Sequence, residues 1–503
     1  MQAYFGCVRS EIVNGSFGIL SAILWSPLIC AVVICLLPKT QLKAIQSLAL
    51  LGSGISFLLA WRLLGSFAAG SGGLQFSESV EWVPELGMTY RLAVDGLSLP
   101  MVLLTTLITP ACLIASLAMK ERMKAYFAWF MLLEFAALGV FMAQDWFLFY
   151  MFWEITLVPM FFLIGIWGGE RRGPASLSFF LYTLGGSVFM LLAIIAAYVN
   201  SPGHSFDFAV LAQASSAWST EFQILVFAGF LLGVAVKIPA FPLHGWLPLA
   251  HVEAPVPVSM FLSAVLLKMG AYGLIRAGVL LPEGIEWFAP ILFVGAIINI
   301  TYGSLMSWRQ TDLKAMVAFS SVSHMGFVLL GVSALTVTGF TGAVMQMFTH
   351  GIITASLFLL VGVIYERTHT RDITEFSGLS RNMPVYAVFM SLALLASMGL
   401  PGLAGFISEF HALVGGYERF GIYSASASVG ILVTAAYSFR TIGLLFAGTV
   451  NPKWGHLKDI NVREMIPVFV LAVLMVAIGI YPGPLLDLMK ASLSVSVEAF
   501  ALP

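Results

Sequence analysis

Fourteen apolar stretches, near residues 17–37, 44–65, 96–118, 124–143, 145–167, 175–199, 221–241, 256–280, 284–306, 311–334, 337–365, 384–414, 421–447 and 464–489, alternate with short polar ones. A hydrocarbon core of roughly 30 Å takes about 20 helical residues to cross. The stretches lack the every-second-residue alternation of a barrel strand. Backbone groups in lipid must be satisfied within the segment itself, so the pattern predicts an all-α, polytopic membrane fold of about fourteen transmembrane helices. The first stretch lacks a basic n-region followed by a small-residue cleavage site, and reads as a retained helix. The longest polar stretch, 66–95, carries Glu78, Glu81 and Glu85 and is expected on the outer surface. No linker separates soluble domains, so 1–503 reads as a single transmembrane domain.

Charge orients this helix order, because lysine and arginine concentrate on the cytoplasmic side. With the N-terminus outside, the inner loops and helix ends collect 15 of the 24 basic residues, among them Lys39, Lys120, Arg171, Arg309, Lys314, Arg371 and Lys458. The outer side holds Arg9, Arg62, Arg91, Arg419 and Lys490. Both termini are therefore expected outside. Composition agrees: 59% of residues are hydrophobic and 10% charged, against about 25% charged in soluble domains.

Two helices are interrupted in their middles. The seventh carries KIPAFP at 237–242 and the twelfth GLPGLAG at 399–405. Proline removes a backbone donor and disrupts the preceding turn. An offset of five helices inverts the second break relative to the first, the layout of inverted-repeat transporters. The expected repeats span about 124–280 and 284–447.

Buried charge is the second signal. Glu134, Glu154, Lys237, Lys268 and Glu409 stand within or beside apolar runs, where an ionised side chain costs on the order of 2.5–3.5 kcal/mol. Such groups persist where they pair, meet water or titrate. A Glu154–Lys237 pair is a natural switch: Lys237 keeps its proton while the pair holds and releases it when the pair opens. A static structural pair is the alternative. His324 and His350 lie in adjacent helices between the breaks, and His244 and His251 flank HGWLPLAH after the seventh helix. Imidazole both accepts and donates protons, although a lone histidine is often a satisfied core residue. Cys7, Cys30, Cys35 and Cys112 form no C-x-x-C pair, and no clustered histidine and carboxylate set suggests a metal. No phosphate-binding loop, nucleophile motif or basic nucleic-acid patch appears.

Several strings are longer than chance allows: VDGLS (94–98), DWFLFYMFWEITLVPMFFLIGIWGG (145–169), VKIPAFPLHGWLPLAH (236–251), LLKMGAYGLIR (266–276), QTDLKAMVAFSSVSHMGF (310–327), HGIITASLFLLVGVIYERTHTRDI (350–373) and GLPGLAGFISEF (399–410). The chain resembles the antiporter-like membrane subunits of respiratory complex I, NADH:quinone oxidoreductase, and most of all their M type. The resemblance implies a proton-translocating subunit of the membrane arm. Glu154 and Lys237 match the family's ion pair, Lys268 its central lysine, and Glu409 its acidic exit residue. His324 and His350 match the polar link between halves, and Glu134 the fourth-helix glutamate; His244 is a weaker candidate. Leu249 departs from the aspartate usual in that loop. The resemblance further implies no cofactor in this chain, with FMN, iron–sulfur clusters and quinone in partner subunits. The implied partners are L-type and N-type antiporter-like subunits and membrane lipid, in a bacterial inner membrane or a thylakoid. A subunit of a multi-subunit cation/proton antiporter, of a membrane-bound hydrogenase complex, or a structural spacer are the alternatives open at this point.

Overall fold

The computed structural model describes residues 13–14 and 18–500; Cys7, Arg9 and the start of the 17–37 run lie outside the described residues. The first seven apolar runs form Ile19–Leu36 (α1), Leu42–Ser66 (α2), Ser98–Ala115 (α3), Met123–Met142 (α4), Trp146–Trp167 (α5), Arg172–Val199 (α6) and Thr220–Lys237 (α7). Next come Val256–Leu280 (α8), Pro282–Arg309 (α9), Leu313–Ala334 (α10) and Val337–Thr368 (α11). The twelfth run is two helices, Pro384–Ser397 (α12) and Ala404–Phe420 (α13), followed by Ser428–Phe446 (α14), Val462–Ile480 (α15) and Gly483–Glu498 (α16).

Among the described residues, 13 helices are long and apolar enough to cross a membrane when Ala404–Phe446 is taken as one span. Gly421, at φ 58°, and the tight turn Gly421–Ala427 divide that span. With α12 and α13 forming one interrupted crossing, the expected fourteen result. The last run is not one helix over 464–489. Pro482 lacks the N–H that would continue α15, and α16 starts afresh after it.

The 66–95 stretch contributes a feature the polar pattern did not predict. Val13–Asn14 (β1), Gln75–Val83 (β2) and Met88–Val94 (β3) form a small sheet, parallel between β1 and β2 and antiparallel between β2 and β3. Glu78, expected at the surface, turns inward. Its carboxylate accepts from the backbone N–H of Leu20 (2.7 Å) and Ser21 (3.1 Å) and from the Ser21 hydroxyl (2.5 Å). These α1 donors have no intrahelical partner, and negative charge suits a helix N-terminus. The hairpin thus caps the first membrane helix. Both ends of the described chain reach this face, since Gly18 abuts Glu78 and Gly72 abuts Ala491 and Val495 of α16.

Burial sorts the helices into an inner and an outer set. Along their membrane-crossing windows α8 and α11 are 100% buried and α10 94%, whereas α2, α6, α9 and α15 stay below half. The outer set turns Leu58, Leu181, Leu192, Ile291 and Phe469 outward, as lipid contact requires. Small residues bring backbones together inside: a Cβ on Gly415 of α13 would stand 2.3 Å from the Gly339 Cα of α11.

One local motif occurs twice, on opposite faces. Asp145 accepts from Phe147 and Leu148 N–H to start α5, and Asp312 does the same with Lys314 and Ala315 to start α10. Each flanking backbone bridges to a distant strand-like segment. Trp146 N–H donates to Phe206 O and Phe208 N–H to Gln144 O; Leu313 N–H donates to Arg371 O and Ile373 N–H to Thr311 O, all at 2.9–3.0 Å. An arginine pairs with each bridge, Arg91 with Asp207 and Arg371 with Asp312.

Candidate functional site

The three innermost helices each carry one titratable side chain in midspan: Lys268 on α8, His324 on α10 and His350 on α11. A π-helical turn, Leu262–Leu266, precedes Lys268. There the Leu267 N–H bonds to Leu262 O instead of Ser263 O, and the Ser263 carbonyl accepts from the Lys268 ammonium at 2.5 Å. Such insertions inside helices often mark functional positions. The ammonium also donates to His350 Nδ1 at 2.7 Å.

The His350 ring centroid lies 5.4 Å from that of His324. His324 Nδ1 donates to Glu409 Oε1 at 3.0 Å, and its Nε2 stands 3.0 Å from the Ser397 hydroxyl. Glu409 sits in α13, just past the interruption, and Ser397 ends α12. Gly399 makes the room: at φ 73° it adopts a left-handed conformation, and a Cβ there would stand 2.8 Å from Glu409 Oε2. Beside this line Thr349, Ser408 and Gln346 form a hydroxyl–amide string, 2.9 and 2.5 Å apart. Lys268, His350, His324 and Glu409 therefore form one buried row across α8, α11, α10 and α13.

At the seventh-helix break the expected contact is not the one present. Lys237 makes no ion pair with Glu154 among the described residues; its ammonium donates to the Thr156 hydroxyl at 3.0 Å and lies 4.2 Å over the Trp153 ring. The competing partners are one turn of α5 itself. Thr156 sits where α5 is locally interrupted, and the Trp153 face attracts a cation. Glu154 is half-buried, with Oε1 unpartnered. The pair is open in this geometry. Asn299 of α9 mends the break: its side chain accepts from Phe241 N–H (2.7 Å) and donates to Pro239 O (3.2 Å). Sequence reasoning passed over Asn299, although an asparagine within GAIINITYG is itself a signal. Leucine at 299 leaves both groups unpaired, at about 1–3 kcal/mol each. We expect Asn299→Leu to lower the thermal-inactivation midpoint of the purified complex, with Asn299→Asp, which keeps the acceptor, intermediate.

The remaining candidates do not join the row. Glu134 lies among α1–α4, accepting from Ser56 at 2.8 Å, with Oε2 buried and unpartnered. His244 contacts the Tyr302 hydroxyl at 3.2 Å, packed against Phe241. His251 is fully buried, stacks on Phe358 at 4.6 Å, and neither ring nitrogen has a partner. Leu249 packs against the core. On the face opposite the hairpin a cleft of about 1010 Å³ is lined by Lys120, Glu253, Lys314, Glu366 and Arg371. Lys314 donates to the Ala254 carbonyl there, and Arg371 to that of Val252.

Interrupted helices that face a buried row of lysine, histidine and glutamate within a polytopic bundle define the antiporter-like class of membrane subunits. The family of NADH:quinone oxidoreductase/Mrp antiporter transmembrane proteins matches residues 143–434. The chain is 41% identical to NAD(P)H-quinone oxidoreductase chain 4 1 of Synechococcus elongatus over 482 residues, 94% of this chain and 90% of that one. It is 37% identical to NADH-quinone oxidoreductase subunit M of Rickettsia typhi, covering 94% and 97%. A chain of respiratory complex I from Thermus thermophilus superposes with a TM-score of 0.86 at 30% identity, over 96% of this chain and 100% of the other. The protein belongs to this family, as a subunit M (chain 4) type membrane subunit of complex I.

Proposed function

We propose that Glu154, Lys237, Lys268, His350, His324 and Glu409 carry protons through this subunit, driven by quinone reduction in neighbouring subunits. The observation that supports this most is the buried row from Lys268 to Glu409, with a single step between the two histidine rings, on helices shielded from lipid. Each member can both hold and pass a proton. The lysine ammonium donates to His350 Nδ1; the His350 Nε2, unpartnered, is the site from which a proton moves on. The 5.4 Å ring spacing suits a ring rotation or one bridging water for the step to His324. Glu409 then accepts from His324 Nδ1. Lys237, resting on Thr156 and free to close on Glu154, is the movable contact that gates supply to this row.

The recurring aspartate-capped bridges at α5 and α10 support reading 124–280 and 284–447 as inverted repeats with a break in each. L-type and N-type subunits at the flanks, cofactors held by other subunits rather than this chain, and a bacterial inner or thylakoid membrane complete the reading. Lys237→Ala in the assembled complex should lower protons translocated per quinone reduced at least several-fold, measured by dye quenching in proteoliposomes. Full translocation with normal assembly is the result that sinks the scheme.

A further inference from the structure

The buried row leaves α8 sideways, towards α11, although α8 itself continues to the hairpin face. Lys268, Tyr272 and Arg276 are spaced four residues apart and share one side of that helix. Arg276 lies about 12 Å beyond Lys268 at 1.5 Å per residue, a short distance for a chain of water and hydroxyls. What occupies it is a fixed pair. The guanidinium holds Asp95 with two bonds, Nη1 to Oδ2 at 2.8 Å and Nη2 to Oδ1 at 2.9 Å, and both side chains are buried. Asp95 Oδ1 also accepts from Leu97 and Ser98 N–H at 3.1 and 2.9 Å. Arg276 Nε donates to the Tyr272 hydroxyl, whose own proton goes to the Phe141 carbonyl, each at 3.1 Å.

A second element covers this pair. α16 runs over the end of α8: the Ser492 hydroxyl accepts from Gly96 N–H at 2.9 Å, a Cβ on Gly96 would stand 2.5 Å from Leu488 O, and Val279 of α8 packs with Ala499, Val495 and Phe500.

We propose that Arg276 and Asp95, under α16, are a proton-tight plug that closes the outer end of α8 and forces protons from Lys268 sideways. This rests on the reading of Lys268 as a proton carrier. A proton relay needs groups that accept as well as donate. A guanidinium has five donors, no acceptor, and does not give up its charge. The single Tyr272 proton is committed to a carbonyl. A fixed arginine in a narrow path also repels the excess positive charge of a moving proton.

The test is passive proton leak across vesicles holding the complete complex, with a pH step and no electron donor, read by an internal dye. Arg276→Gln should raise the leak several-fold over the unsubstituted complex. The double variant Asp95→Asn with Arg276→Gln removes both charges at once and strands neither, so it serves where the single change prevents assembly. An assembled Arg276→Gln or double variant as tight as the original overturns the plug. Adding Lys268→Ala to Arg276→Gln should close the leak again. A leak that persists there keeps the plug but removes Lys268 from the proton path.

Discussion

Replacing Lys268 with alanine is expected to abolish proton translocation by the assembled complex and to slow coupled quinone reduction about tenfold or more. Lys268 is the α8 side chain that hydrogen-bonds His350, and its other hydrogen bond goes to a backbone carbonyl that carries no proton. A positioned acid or base contributes about 10²–10⁴-fold to a proton-transfer step. A water entering the space left by the side chain restores part of this, which is why the expected loss is set at the lower end. Alanine is well tolerated in a helix, and a water in the vacated space can take up the Ser263 carbonyl and His350 Nδ1 that lose the ammonium, so assembly is checked by subunit content. The measurement is rotenone-type inhibitor-sensitive quinone reduction beside dye-monitored acidification in the same proteoliposomes. Unchanged values for both, in complex of normal subunit content, exclude Lys268 from the row.

How far the sequence reached can be judged residue by residue. Apolar run length located the helices, because the length of a crossing is set by the bilayer and not by the rest of the protein. The breaks at 237–242 and 399–405 followed from proline and glycine chemistry, which acts locally. Which groups meet across helices is a different matter. The row Lys268–His350–His324–Glu409 joins residues 82, 26 and 85 positions apart. Nothing in periodicity fixes their registers; that came from the resemblance. The Glu154–Lys237 pair is not in direct contact, for a related reason. Lys237 was placed at the seventh-helix break and Glu154 offered as its partner, but the lysine meets a hydroxyl and an indole face on the same stretch of α5. Which of three neighbours a four-carbon stem selects depends on rotamers that sequence does not encode directly. Glu78 and Asn299 show the same limit from the other side. A glutamate in a polar stretch looks unremarkable, an asparagine in an apolar one signals a partner without naming it, and each acquires its role from an orphaned backbone group distant in sequence. The two aspartate bridges were not read from the sequence. The capping by Asp145 and Asp312 and their distant partner segments became visible only in the fold.

Glu409→Gln is expected to stop translocation while leaving assembly and the shape of the second break intact. The amide oxygen of glutamine can accept from His324 Nδ1 as the carboxylate does, and its size fits the space that Gly399 leaves. What it cannot do is take up and release a proton. The variant therefore separates two roles that coincide in the present geometry, tying α13 to α10 and exchanging protons with His324. A purely structural Glu409 predicts near-normal pumping in Glu409→Gln and a larger defect in Glu409→Ala, which loses the bond as well. A proton-exchanging Glu409 predicts that both fail about equally, tenfold or more on the scale of general acid–base contributions. It also predicts that Glu409→Asp, with its acid drawn back by one methylene, retains intermediate pumping. Pumping ratios for the three variants, each normalised to complex content, decide between the two, because the structural role orders them by hydrogen bonding and the chemical role orders them by acidity.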